Sequence, residues 1–312
     1  MTEKIIMDRQ LFKKPFKQTD NVILPCPTCK GLSLKLDNRK FYAFDTALSR
    51  KIQESEEDWD FDWLSSVFTA VFICSNGACG EHVICSGTGF VDWEAEPNEH
   101  GELEQQYYCY YSPKTFIPPI NFFNIPEKCP NSVKEPLIEA FSLTLQSSGS
   151  AANKVRAAIE NLLTEFGVAR NSRKNNKLHR LSLDARIAKA KNKNANLGDL
   201  EDILYAIKWL GNAGSHGNSE ITIDDVFDAY ELMSHLLNEL YQSKAEINKL
   251  AKAIRKRKGP VKKIIRKGVH SIKWWTPIFL FQRHTIFNDS WLFSNPVIKF
   301  LGGMIGFLCM PI

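Results

Sequence analysis

The sequence predicts an α+β protein in which a small β-rich module precedes an all-α helical bundle. Two observations indicate this fold class: short extended segments separated by turn residues come first, and apolar residues with helical periodicity follow. A chain of 312 residues is long enough for two domains and a tail. We place the β-rich module at 1–112, a linker at 113–136, the helical bundle at 137–258 and the tail at 259–312.

Extended segments predict the strands of the N-terminal module. Apolar and β-branched residues dominate 21–24, 71–74 and 81–85, and Pro-Cys-Pro, Ser-Asn-Gly and Gly-Thr-Gly turns separate them. An acidic insert at 54–60 lies between the first two segments. The segment 113–136 contains six prolines, which favour a linker over the interior of a helix.

Helical periodicity defines the second domain. The first predicted helix has Val155 and Ile159 on its apolar face and ends at Gly167. A second helix is predicted at 197–210, and a third begins near Asp224.

Two pairs of cysteines have the spacing of metal-binding turns. Cys26 and Cys29 form one pair, and Cys74 and Cys79 form the other. Each turn presents two thiolates, so the two turns together complete a tetrahedral sulfur site that suits Zn²⁺ and leaves no position for water. We therefore predict a structural zinc ion.

Three other residues are alternatives to Cys79 as the last ligand: Cys85, Cys109 and His82. Buried free cysteine is the competing interpretation of the two thiols. The first residues of the chain lack the apolar core of a signal peptide, and eight cysteines without an export signal favour metal binding over disulfides. We therefore expect a cytoplasmic protein.

Two motifs of the helical region have the order and spacing seen in a known family. One is Arg-x-x-x-Glu at Arg156 and Glu160, and the other is Gly-Asn-x-x-x-His, which ends at His216. With the paired cysteines upstream, the chain resembles a bacterial HEPN-clan family, the domain of unknown function 4145, with an N-terminal zinc-ribbon-like module built on four cysteines. The resemblance covers residues 130–258.

The resemblance implies a HEPN-like bundle that forms a homodimer, and an association with RNA or with bacterial phage defence. Active HEPN nucleases use an arginine and a nearby histidine to cleave RNA without a metal. The matching positions here are His216, Asn212 and Lys208, with Arg156 and Glu160 in support. Because lysine lacks the planar fork of arginine, we expect a non-catalytic protein or an attenuated ribonuclease. If the chain is an enzyme, it is a metal-independent endoribonuclease with His216 as acid or base.

A basic block follows the helical region. Residues 255–273 contain nine lysines or arginines and no acidic residue, which favours binding to phosphates of nucleic acid or of lipid headgroups. The expected phosphate-binding residues are Arg255, Lys256, Arg257, Lys258, Lys262, Lys263, Arg266 and Lys267.

The segment 274–312 is apolar and aromatic. Its two apolar runs are shorter than the roughly 20 residues that span a bilayer as a helix. The segment therefore predicts either a peripheral anchor at the inner face of a membrane or a surface that a partner protein covers. The alternative to an RNA-associated protein is thus a non-enzymatic adaptor tethered by this segment.

Overall fold

The computed structural model describes residues 8–174, 176–213 and 221–241, together with Lys252, Arg255 and Lys256. All the helices and strands named below lie in one unit of the chain, Met1–Gln242. The described lysines and arginine beyond residue 242 belong to a second unit and are exposed.

Five antiparallel strands form a curled sheet in the N-terminal half, in which each strand pairs with the next along the chain. The strands are β1 (Ile23–Pro25), β2 (Leu32–Asp45), β3 (Ser65–Cys74), β4 (His82–Pro97) and β5 (Leu103–Ile117). Because β3 begins at Ser65, opposite Phe90, residues 91–109 of β4 and β5 extend beyond it as a two-stranded ribbon.

One face of the sheet is apolar because alternate residues of each strand point to the same side. In β3, Phe68, Ala70 and Phe72 are buried, whereas Val67 on the opposite face is exposed. The Phe68 ring stacks on Phe41 of β2 at a centroid distance of 5.4 Å. The buried face of the sheet is therefore rich in aromatic contacts.

The N-terminal segment contacts both the sheet and the helices. Phe16 lies in the sheet core, and the Phe12 ring lies 4.8 Å from the ring of Phe122, which packs in the helical core. Arg9 Nη2 lies 2.6 Å from the carboxylate of Asp228. The short helices of this half are α1 (Arg9–Lys13), α2 (Ala47–Ser55) and a 3-10 turn at Phe61–Trp63.

Helices dominate the rest of the unit, with one β-hairpin among them. The elements are α3 (Asn131–Leu143), α4 (Ser148–Glu165), β6 (Asn171–Lys174), β7 (Lys177–Arg180), α5 (Leu183–Ala190), α6 (Ala195–Gly198), α7 (Glu201–Ala213) and α8 (Ile223–Tyr241). Their apolar faces share one buried cluster with the sheet. No helix in the described ranges has both the length and the apolar character needed to cross a membrane.

The predicted fold class, a small β-rich zinc module followed by a HEPN-like all-α bundle, is wrong. Strands β2, β4 and β5 span 14, 16 and 15 residues, so the N-terminal half is a large curled sheet. The sequence concealed these long strands because a bulge interrupts the pairing of β2 with β3 between Leu36 and Phe41, at a run of polar residues. The helical half is not all-α, because it contains the β6–β7 hairpin.

The helices predicted from periodicity are confirmed, with one change. Val155 and Ile159 are buried on α4, which ends two residues before Gly167, and α8 lies where the third helix was predicted. The predicted helix at 197–210 corresponds instead to α6 and α7. Strand β5 also continues to Ile117, inside the segment expected to be a linker.

Candidate metal centre

Two tight turns at the same end of the sheet carry the four cysteines. The first turn joins β1 to β2, where the Lys30 N–H donates to the Cys26 carbonyl at 2.9 Å. The second turn joins β3 to β4, where the Cys79 N–H donates to the Asn76 carbonyl at 2.8 Å. The residue after the second cysteine of each turn, Lys30 or Gly80, is left-handed, with φ of 63° and 62°. Both cysteine turns therefore end with a residue in the left-handed conformation.

The four sulfur atoms have the spacing of a metal site. Cys26 Sγ lies 3.7 Å from Cys79 Sγ, Cys29 Sγ lies 3.7 Å from Cys74 Sγ, and all four lie within 4.8 Å of one another. A tetrahedral site with metal–sulfur bonds of about 2.3 Å separates its sulfurs by about 3.8 Å. The four cysteines could therefore bind one metal ion.

Ser33 on β2 lies beside two of the thiols. Its Oγ is 3.0 Å from Cys74 Sγ and 3.4 Å from Cys29 Sγ. This hydroxyl lowers the pKa of Cys29 to about 6 and also lowers the pKa of Cys74, whereas burial raises the pKa of Cys26 to about 12. Ser33 thus favours the thiolate form, which is the form that binds metal.

The two turns are also bonded to each other. Thr28 in the first turn donates a hydrogen bond to the Glu81 carboxylate beside the second, and the Ser75 N–H donates to the Ser33 carbonyl at 2.7 Å. These bonds fix the relative position of the cysteine pairs through protein contacts. The sequence reasoning missed Ser33 and Glu81, whose only signal is that each follows a cysteine turn closely.

The alternative ligands lie outside the sulfur cluster. Cys85 is buried in the sheet core, where burial raises the pKa of its thiol. His82 Nδ1 is 3.0 Å from the Gly80 carbonyl, and Cys109 lies on β5 opposite Val91. The cluster therefore contains the four cysteines of the two turns.

The predicted polar centre of the helical region falls on α4 and α7. Arg156 Nη2 lies 3.3 Å from the Glu160 carboxylate on the same helix. Lys208 is only 4% exposed, and its ammonium forms an ion pair with Asp184 of α5. Asn212 is half-buried on α7, and His216 lies outside the described residues.

The packing of α4 against α7 brings the two motifs together at one point. A Cβ atom placed on Gly211 would lie 2.5 Å from Arg156 Cβ and 3.1 Å from the Ala152 carbonyl oxygen. A larger residue at Gly211 would therefore force the two helices apart.

The basic block is described only at its start. Arg255 and Lys256 are exposed. The other predicted phosphate-binding residues lie outside the described residues, as does the whole segment 274–312.

The chain thus combines a sheet that has a candidate tetrathiolate centre at one end with a helical region interrupted by a hairpin. Residues 14–116 match the family model of a domain of unknown function (DUF8608), and residues 139–257 match that of another domain of unknown function (DUF4145). Two parts of the chain are therefore similar to domains of unknown function, and the second match confirms only that residues 139–257 resemble the domain of unknown function 4145. No curated protein and no solved structure matches the chain.

Proposed function

We propose that this chain is a zinc-stabilised, non-catalytic protein that associates with RNA. The proposal rests on the burial and the ion pair of Lys208. The resemblance places this lysine where active HEPN nucleases have an arginine. Its ammonium is buried, ion-paired with Asp184 and 3.9 Å from the Trp209 ring centroid. A cation that stabilises a phosphorane must reach the substrate, and the contacts of Lys208 prevent this.

The second cation of the motif is also engaged. Arg156 pairs with Glu160, and the Glu160 carboxylate lies in addition 3.6 Å from Arg180. Both positive charges that the nuclease pattern supplies are therefore compensated within the protein. This arrangement supports a binding role over RNA cleavage.

Zinc is the proposed metal because four thiolates at tetrahedral spacing match its preferences. A site closed by four protein ligands has no position for water or substrate, so its role here is structural. The ion would join the β1–β2 turn to the β3–β4 turn.

The association with RNA is supported by charge. Residues 166–183 contain no acidic residue, and the β6–β7 hairpin within them has exposed basic side chains at Arg173, Lys177 and Arg180. Such a surface attracts a phosphate backbone in a salt-dependent way.

One experiment tests the proposal with the full chain. Elemental analysis should find one Zn²⁺ per chain in the wild type and a loss of metal in Cys74→Ser, with Cys85→Ser as the matched control. Labelled RNA should bind at low salt and remain intact in the wild type and in Lys208→Arg, because a buried arginine at this position would also pair with Asp184. Cleavage of RNA by the wild type in the presence of chelator, lost in His216→Ala, would show that the chain is a nuclease.

A second candidate function is a protein adaptor, which the β4–β5 ribbon favours. Trp93 and Leu103 on this ribbon are 52% and 74% exposed, and exposed apolar side chains of this kind often lie in protein interfaces. Homodimerisation through the helical region stays a prediction. Light scattering on the wild type and on Trp93→Ser tests both, because loss of a dimer in the variant would place the interface on the ribbon instead.

A further inference from the structure

Four arginines converge on one surface of α4, and they come from different elements. Arg156 belongs to α4, Arg170 precedes β6, Arg180 ends β7 and Arg186 lies on α5. The only carboxylate of the described residues within 4.0 Å of these guanidiniums is Glu160, which is 3.3 Å from Arg156 and 3.6 Å from Arg180. The cluster therefore has an excess of positive charge.

Two of the arginines are positioned by neutral groups. Thr164 Oγ1 accepts hydrogen bonds from Arg170 Nε at 3.0 Å and from Arg186 Nη2 at 2.8 Å, and it donates to the Glu160 carbonyl at 3.0 Å. Arg170 Nη2 also donates to Asn161 Oδ1 at 2.9 Å. These bonds fix both guanidiniums without a carboxylate in contact, unlike the ion pair of Lys208 with Asp184.

Arg186 is the most unusual member, because it is only 3% exposed. Its guanidinium donates to Thr164 and, at 3.2 Å, to the Val168 carbonyl, and its Nε has no hydrogen-bond partner among the described residues. Burial lowers the pKa of Arg186; Glu160 opposes that shift, and Arg170 and Arg180 add to it. A buried cation without a close counter-ion is costly, and a bound anion would offset the cost.

We propose that Arg170, Arg180 and Arg186, arranged around Thr164, bind a phosphate group of an RNA backbone. Arg170 and Arg180 are exposed and can contact phosphate oxygens directly, since the guanidinium fork matches phosphate geometry. Arg186 lies beneath them and contributes its positive field. Thr164 is a positioning residue that orients two of the three cations.

The surroundings favour a polymer over a free ion. Arg173 and Lys177 on the hairpin and Lys189 on α5 are exposed and extend the positive surface away from the cluster. A small phosphate would contact the cluster alone, whereas an RNA strand would also reach the hairpin. The inference rests on the proposed association with RNA and assigns it a site.

The test measures binding of a labelled single-stranded RNA to the full, metal-loaded chain over a range of salt. Arg170→Gln should weaken binding by about tenfold or more and flatten the salt slope by about 0.7, because one phosphate contact is lost. Lys189→Gln removes the same charge from an exposed position on α5 and should weaken binding by only about twofold. Arg170→Lys should not restore affinity, since lysine lacks the fork.

Thr164→Val provides the decisive variant because it leaves the net charge unchanged. It should weaken RNA binding by about tenfold, and sodium pyrophosphate should raise the melting temperature of the wild type but not of this variant. Equal losses in Arg170→Gln and Lys189→Gln would overturn the site and leave RNA association standing. A wild type that is stabilised by pyrophosphate but does not bind RNA would overturn both RNA as the ligand and the proposed function.

Discussion

Replacing Gly211 with alanine tests the helix contact at which the two sequence motifs meet. In most helices this change stabilises a protein by about 0.5–1 kcal/mol, because alanine restricts the unfolded chain and favours the helix. Gly211 should behave in the opposite way. The added Cβ would lie 2.5 Å from Arg156 Cβ and 3.1 Å from the Ala152 carbonyl oxygen.

Carbon atoms in favourable contact lie about 3.5–4.0 Å apart, so α4 and α7 would have to separate by about 1 Å. Overpacking of this kind costs about 1–3 kcal/mol, and the helix preference of alanine returns part of that cost. We therefore expect Gly211→Ala to lower the free energy of unfolding by about 1–2 kcal/mol.

Urea unfolding followed by circular dichroism measures this change with linear extrapolation. Gly77→Ala is the matched control, because a Cβ there has no atom within 4 Å, and it should change the free energy of unfolding by less than about 0.5 kcal/mol. A Gly211→Ala protein as stable as the wild type would refute the close approach of α4 to α7.

Two further predictions concern buried polar groups. Asp184→Ala should destabilise the chain by about 1–3 kcal/mol, because it leaves the buried ammonium of Lys208 without its partner. Lys208→Met should be close to neutral, because it removes the buried charge itself. Thermal melting compares the two variants, and equal destabilisation would contradict this difference. Tyr230→Phe should cost about 1 kcal/mol in the free energy of unfolding, since the hydroxyl shares a buried 2.6 Å hydrogen bond with Thr144, and the exposed Tyr42→Phe serves as control.

Sequence reasoning identified the features that depend on local spacing. The cysteine pairs were predictable because each pair lies within one turn, and α4 was predictable because its buried residues recur with helical period. The extent of the sheet was not, since its long strands are defined by pairing and β2 contains a polar bulge. Local pattern determines a turn or a helix face, whereas strand length depends on a partner elsewhere in the chain.

Contacts at the sites that depend on residues far apart in the chain could not be predicted from the sequence. Ser33 could not be predicted as a partner of Cys74, because the two are 41 positions apart in the chain and meet only through the pairing of β2 with β3. Lys208 matched the expected position of a catalytic cation, but its environment depends on Asp184, 24 positions away. The sequence thus singled out Lys208 without indicating that its charge is compensated.

The manner in which the cations are positioned determines where an anion can bind. The Lys208 ammonium is neutralised by the carboxylate of Asp184, so it has no free charge to offer an anion. Arg170 and Arg186 are fixed by a threonine hydroxyl, an amide oxygen and a backbone carbonyl, which orient a guanidinium without cancelling its charge. A protein with a net charge of only +5 can in this way present a strong local field, because the excess is concentrated where acidic partners are few. The same helix, α4, therefore packs Arg156 against the charge-compensated motif of α7 and supplies Thr164 to the candidate phosphate site about two turns away.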